Sequence, residues 1–204
     1  MSDSARLVVV KVGGSLLSWP SLPDRLSRFL DPRRARGERI VLIVGGGGAA
    51  DWVRSLDQIH HIEETTAHDL ALQSLELSAR ALAVLLADTE VVESFARITQ
   101  VWQAGRLPIL APRLVWNDDE RGTSDPLPRT WDTTTDSIAA RIASLLNADE
   151  LVLLKSISLS PGTTREQAAS IGVVDAVFPR ASRGLSSIIA INLRDESDCG
   201  VGLM

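Results

Sequence analysis

Five short apolar runs separated by helical patterns limit what this 204-residue chain can fold into. They are 6–12 (RLVVVKV), 39–44 (RIVLIV), 107–112 (LPILAP), 150–155 (ELVLLK) and 186–193 (SSIIAINL). Each is rich in β-branched or other apolar residues and nearly continuous rather than alternating. Parallel strands covered on both faces by helices read this way. Between them, helix patterns occupy 22–30, 49–59, 67–88, 91–105 and 134–147. The alternation predicts an α/β fold, a three-layer αβα sandwich with a mostly parallel central sheet, formed as a single domain over 1–204.

Composition narrows the function classes. A 45% hydrophobic content supports a substantial core. The net charge of −5 gives no basic surface for nucleic acid or an anionic membrane. Cys199 is the only cysteine, which excludes a disulfide framework or a cysteine-based zinc site within the chain. The opening MSDSARLVVVKVGG lacks the charged start and long apolar core of a signal peptide, and no apolar run approaches a membrane span. The expectation is a cytoplasmic protein with no nucleic-acid or membrane partner.

Nineteen arginines stand against two lysines, Lys11 and Lys155, and both lysines end apolar runs. Composition drift with snorkelling side chains is the plain explanation. Its repetition in two matching contexts favours a compact point charge placed to meet phosphate.

Glycine turns follow the first two runs. Gly13 and Gly14 precede Ser15 after the first, and Gly45, Gly46, Gly47 and Gly48 follow the second. Glycines at the carboxyl ends of parallel strands let a ligand approach the backbone, and free amides there face an anion. Either turn alone can be a tight strand-to-helix connection. Neither is a Walker A loop, because Lys11 precedes its glycines. Gly45, Gly47 and Ala50 also satisfy G-x-G-x-x-A, with Glu63 and Glu64 where a ribose-binding acid would fall. That leaves a dinucleotide site as a rival, although the segment before the glutamates makes a weak strand.

Asp136 falls in the first turn of the helix at 134–147. Helix-dipole compensation explains an acid there. The run ending in Lys155 follows directly, so Asp136 could instead lie near both lysines and hold their ammonium groups.

Together, VVKVGGSLL, IVGGGG and TTDSIAARIASLLNADELVLL resemble the amino-acid kinase family, in the family's order and across most of the chain. The resemblance implies the amino-acid kinase-like fold and γ-phosphoryl transfer from ATP, with Mg2+ arriving on the nucleotide. It implies that Lys11, Asp136 and Lys155 are catalytic. Gly13, Gly14, Ser15, Gly45, Gly46, Gly47 and Lys155 would bind nucleotide phosphates, and Gly48 would lie on the acceptor side. It also implies a homodimer or higher homo-oligomer; no carboxylate cluster in the sequence suggests a metal site of the protein's own. AHDLALQSLELSARAL, GRLPILAPRLVW and DPLPRTWDTTTDSIAARIA resemble, more narrowly, the small kinases that phosphorylate aminomethyl-furanmethanol phosphate in methanofuran biosynthesis, a part of one-carbon metabolism. That implies a phosphate monoester as acceptor. A carboxylate kinase of the same fold and a non-catalytic nucleotide- or oxyanion-binding protein are the alternatives. The chain departs from the family where an Asp-Gly turn usually follows the fourth run; SISLSPGTT stands there instead.

Four further readings concern residues outside these motifs. His68 opens the third helix, as a partly exposed capping residue or as a contact for the acceptor. Trp131 and Asp132 precede the Asp136 helix and could line the acceptor pocket, the tryptophan against a ring or cation and the aspartate against an amine. His60 and His61 are adjacent, a poor arrangement for a metal pair on a helix. NDDE, 117–120, reads as a solvated loop or a lid.

Overall fold

The computed structural model describes residues 5–113, 116 and 122–204. The NDDE segment lies outside the described residues. The strands are β1 (Leu7–Val12), β2 (Arg39–Val44), β3 (Thr89–Val92), β4 (Leu107–Leu110), β5 (Glu150–Lys155), β6 (Ile188–Asn192) and β7 (Val201–Gly202). They form one sheet in the order β3-β4-β2-β1-β5-β6-β7. Every pairing is parallel except β6 with β7. The helices that position the site are α1 (Leu22–Ala35), α2 (Gly47–His60), α3 (Glu64–Leu85), α4 (Phe95–Gln103), α5 (Thr135–Leu145), α6 (Arg165–Ser170) and α7 (Phe178–Ala181). This is the mixed α/β architecture with a mostly parallel sheet that the apolar runs predict.

Two differences from the sequence reading lie at the sheet's edges. Val91 and Val92, expected within a helix, pair with Ile109 and Leu110 as part of β3. The β-branched Thr89, Val91 and Val92 suit an edge strand. Ser94 stays extended (φ −149, ψ 154), so the helix begins only at Phe95. The two-residue β7 is too short for a periodic signal. In addition, β4 stops at Leu110, two residues before the apolar run does.

Side-chain alternation along the central strands sends residues to two cores. Val9, Val41, Ile43, Leu151 and Leu153 pack with α5 and the first half of α3. Val8, Val10, Val12, Leu42, Val152 and Leu154 pack on the other face with α1 and the second half of α3. Lys11 continues the parity of Val9, and Lys155 that of Leu151 and Leu153. Both lysines therefore project from the face that α5 covers, and α5 carries Asp136.

The rival dinucleotide geometry is absent. Residues 47–60 are helical, so no strand precedes the two glutamates. Glu63 is the N-cap of α3, accepting from the amides of Thr65 at 3.2 Å and Thr66 at 2.9 Å. A carboxylate engaged in this way serves the helix end.

Candidate active site

The two glycine turns meet backbone to backbone. A Cβ on Gly14 would lie 2.8 Å from Gly47 Cα, and one on Gly45 would lie 2.7 Å from Gly14 N. No side chain fits at this seam. Gly47 also holds φ +53, a conformation only glycine adopts cheaply. The amides of Gly13 and Gly45 are engaged by the carbonyls of Leu154 and Val12, each at 2.9 Å. Those two glycines therefore shape the turns, with their amides already engaged within the sheet. Gly46 lies against Ala50 and α3, whereas Gly48 opens onto free space.

Beside the seam, Asp136 takes both lysines. Its Oδ1 is 2.9 Å from Lys11 Nζ, and both its oxygens are 2.8 Å from Lys155 Nζ. Lys155 also donates to the carbonyl of Val173 at 2.6 Å. All three side chains are buried: Lys11 is 6%, Asp136 4% and Lys155 9% exposed. Burial would raise the Asp136 pKa, but the charges of Lys11 and Lys155 reverse that and hold it at about 2. Burial pulls Lys155 down from 10.5 to about 8; Asp136 opposes the fall and the Lys11 charge adds to it. Two ammonium groups thus share the one Asp136 carboxylate at a desolvated strand end. An incoming anion would add to that compensation.

The sequence reading did not include Asp175. Thr134 caps α5 by position but makes no side-chain capping bond of its own. Asp175 fills that role from outside the helix. It accepts from Thr134 N at 3.1 Å, Thr134 Oγ1 at 2.8 Å and Ser137 N at 3.0 Å, and also from Ser137 Oγ. Burial and the nearby Asp136 charge raise its pKa against these bonds. The signal that could have revealed it is the one that marked the lysines, a charge inside an apolar stretch, here VVDAVF.

A pocket opens beside the second glycine turn. Gly46, Ala50, Arg54, His68, Trp131 and Thr133–Thr135 line it, with apolar residues of α3 and α5. His68 is buried in the second turn of α3 and caps nothing, so its expected role as a partly exposed cap is incorrect. Its Nδ1 lies 3.2 Å from the Thr130 carbonyl. A carbonyl only accepts, so Nδ1 carries the proton and Nε2 presents a lone pair. Nε2 is buried and has no partner among the described residues. Burial lowers the His68 pKa, favouring the neutral ring. Trp131 donates from Nε1 to Asp57 at 2.7 Å, and the Arg54 guanidinium stacks 4.6 Å above its ring. Asp132, expected in this pocket, is exposed and does not line it. Arg54 was missed, although Gly46, Ala50 and Arg54 recur at the four-residue spacing that places them along one side of α2.

The fold and site define an open α/β protein with two packed glycine turns and a buried lysine–aspartate–lysine cluster at the carboxyl edge of its sheet, where such folds place ligands. Residues 6–159 match the amino acid kinase family, and the chain belongs to that family. It is 24% identical over 149 residues to the [5-(aminomethyl)furan-3-yl]methyl phosphate kinase of Methanocaldococcus jannaschii, covering 73% of this chain and 65% of that one. It is 27% identical over 160 residues to a uridylate kinase of Methanosarcina barkeri, covering 74% and 60%. The chain thus spans less than two thirds of the length of either relative. Among solved structures, UMP kinase from Ureaplasma parvum superimposes with a TM-score of 0.70 at 15% identity, covering 95% of this chain and 92% of that one. Aspartate kinase from Synechocystis gives 0.68 at 15%, covering 97% and 39%. At this identity the structures speak for the fold. Among the described residues, no helix is long and apolar enough to cross a membrane.

Proposed function

We propose that the protein is an ATP-dependent phosphotransferase that moves the γ-phosphoryl group to a small phosphate monoester. The observation that carries this reading is Asp136 bridging Lys11 and Lys155 next to the paired glycine turns. Phosphoryl transfer asks for positioning and charge neutralisation more than for a covalent nucleophile. Lys11 and Lys155 would neutralise charge on the transferred group, with Asp136 fixing their ammonium groups. Amides at the glycine turns would add fixed dipoles. Magnesium would come on the nucleotide, held mainly by phosphates and water.

In the reaction an acceptor oxygen bonds to the γ-phosphorus as its bond to the β-bridging oxygen breaks, releasing ADP. A phosphate monoester presents an oxygen already deprotonated, so no general base is required. The product is a diphosphate. The pocket beside Gly46 suits such an acceptor: Arg54 offers a guanidinium to its phosphate, and His68 Nε2 can accept from a donor on its other end. A phosphomonoester such as the aminomethyl-furan compound named for the Methanocaldococcus relative combines these features. A cytoplasmic location and a homodimer belong to the same reading, with exposed Leu77 and Val84 on α3 offering an apolar face.

The test is ADP release with a panel of phosphorylated and unphosphorylated small alcohols and of amino-acid carboxylates. The phosphomonoesters should be the faster acceptors. Faster turnover with glutamate or aspartate would replace this reading with a carboxylate kinase. No turnover with any acceptor, together with retained ATP binding, would leave a nucleotide-binding protein.

A further inference from the structure

Arg194 sits in the turn after β6, yet its side chain reaches the first glycine turn. Its Nη2 donates to the Ser15 carbonyl at 3.3 Å across 179 residues of sequence. In the sheet, β5 lies between β6 and β1. The side chain therefore passes over the carboxyl end of β5, where Ser156 follows Lys155. There the hydroxyls of Ser15 and Ser156 are 3.2 Å apart. On the far side the guanidinium stands 5.8 Å over the Trp19 ring.

The acidic residues around Arg194 are engaged elsewhere. Glu196 pairs with Arg25 at 2.5 Å and Arg28 at 3.6 Å. Asp195 accepts from Ser197, and Asp198 from the amides of Asn192 and Gly200. Among the described residues no carboxylate pairs with Arg194, in a chain where arginines such as Arg6, Arg33 and Arg106 do pair. A planar cation is thus braced on an aromatic ring, with most of its donors unused, at the rim of a phosphate turn.

We propose that Arg194, with the hydroxyls of Ser15 and Ser156, binds the non-transferred phosphates of the nucleotide. The assignment rests on the kinase reading. It supplies a holding group on the side of the site where the sequence lacks an Asp-Gly turn. Lys11 and Lys155 are tied by Asp136 to the transferred group. Arg194, on the opposite flank of Ser15, is left for the phosphates that depart as ADP.

Calorimetric titration of the full chain with Mg-ATP and with Mg-ADP tests this. Arg194→Ala should weaken both by about tenfold, the scale of one charge-assisted contact partly open to solvent. Arg194→Lys should recover part of the loss, because it keeps the charge without the fork or the stacking plane. Melting temperature serves as the folding control; if Arg194→Ala is destabilised, the lysine variant alone decides. Wild-type binding of ATP with unchanged affinity in the variants overturns the role of Arg194 and leaves the kinase reading standing. A loss for ATP but not ADP also overturns it, by placing the arginine on the transferred group. A wild-type protein that binds neither nucleotide overturns both.

Discussion

The carboxylate of Asp175 accepts from the backbone amide of Ser137 at 3.0 Å, and Ser137 is the residue after Asp136. A residue 38 positions away thereby fixes the first turn of α5, and with it the carboxylate that holds both lysines. The carbonyl of Val173, two residues before Asp175, receives Lys155. One short segment therefore touches both the helix start and the lysine. Asp175→Ala should lower stability by about 1–2 kcal/mol, the cost of a lost helix cap. It should reduce kcat more than it raises the KM for ATP. A melting shift with unchanged kcat would make Asp175 a cap and nothing more.

Asp136→Asn removes the anion that bridges two buried ammonium groups. Turnover should fall by about two to three orders of magnitude, the scale of losing one preorganised electrostatic element. Because the triad is buried, the melting temperature should fall too, and added phosphate should restore part of it by replacing the missing charge. Unchanged turnover in a normally folded variant would reduce Asp136 to helix-dipole compensation.

Lys11→Arg keeps the charge but widens the group at a position only 6% exposed. A guanidinium needs more room and a fork-shaped partner. Initial rates at saturating ATP should lose most of their value, and Lys11→Ala should be at least as inactive. Wild-type rates in the arginine variant would show that the lysine is not placed against the transferred phosphate.

Protonation should shape activity and stability in different directions. Lys155 has a pKa of about 8, so kcat/KM should be flat at neutral pH and fall about tenfold per unit above 8. Its folded pKa lies below the ordinary 10.5, so between 8 and 10.5 the unfolded chain binds more protons. Through this group, stability rises with pH across that window while activity falls. Asp136 acts at the other end. Its folded pKa of about 2 lies below 3.8, so its stabilisation is complete above 3.8 and is lost as pH falls toward 2. A pH–rate profile beside a pH–melting series checks both signs; an alkaline limb well above pH 9 in kcat/KM would contradict the role of Lys155.

Gly14→Ala would drive a methyl group into the Gly47 backbone, where no flexible side chain can yield. It should cost roughly 1–3 kcal/mol and abolish activity by parting the turns. Gly184→Ala, with nothing within 4 Å, is the control and should match wild type in melting and rate. Equal behaviour of the two variants would show that the turns do not pack as described.

Much of the fold could be read from the chain, because the apolar runs that become β1, β2, β4 and β5 are buried along nearly their whole length and carry that burial in their own composition, and the half-buried β6 keeps the same kind of apolar run. The edge strands were not legible: Thr89–Val92 is short and adjoins a helix whose pattern overruns it. The lysines stood out because a charge ending an apolar run conflicts with its neighbours. Arg54 left a weaker trace, its spacing from Gly46 and Ala50, and Asp175 could have been noticed only as a charge in VVDAVF.

What the sequence determined by itself is the alternation of strands and helices, the parity that puts Lys11 and Lys155 on the α5 face, and the glycines at two strand ends. Those features depend on residues close together in the chain, where hydrophobic periodicity and backbone freedom act. The tertiary structure decided which distant groups meet: Asp175 with the start of α5, Arg194 with Ser15, and His68 buried with one ring nitrogen unpartnered. Such contacts depend on strand order and on how loops cross the sheet edge. No local physical preference encodes them, because the partners lie far apart in the chain and meet only once the fold has formed.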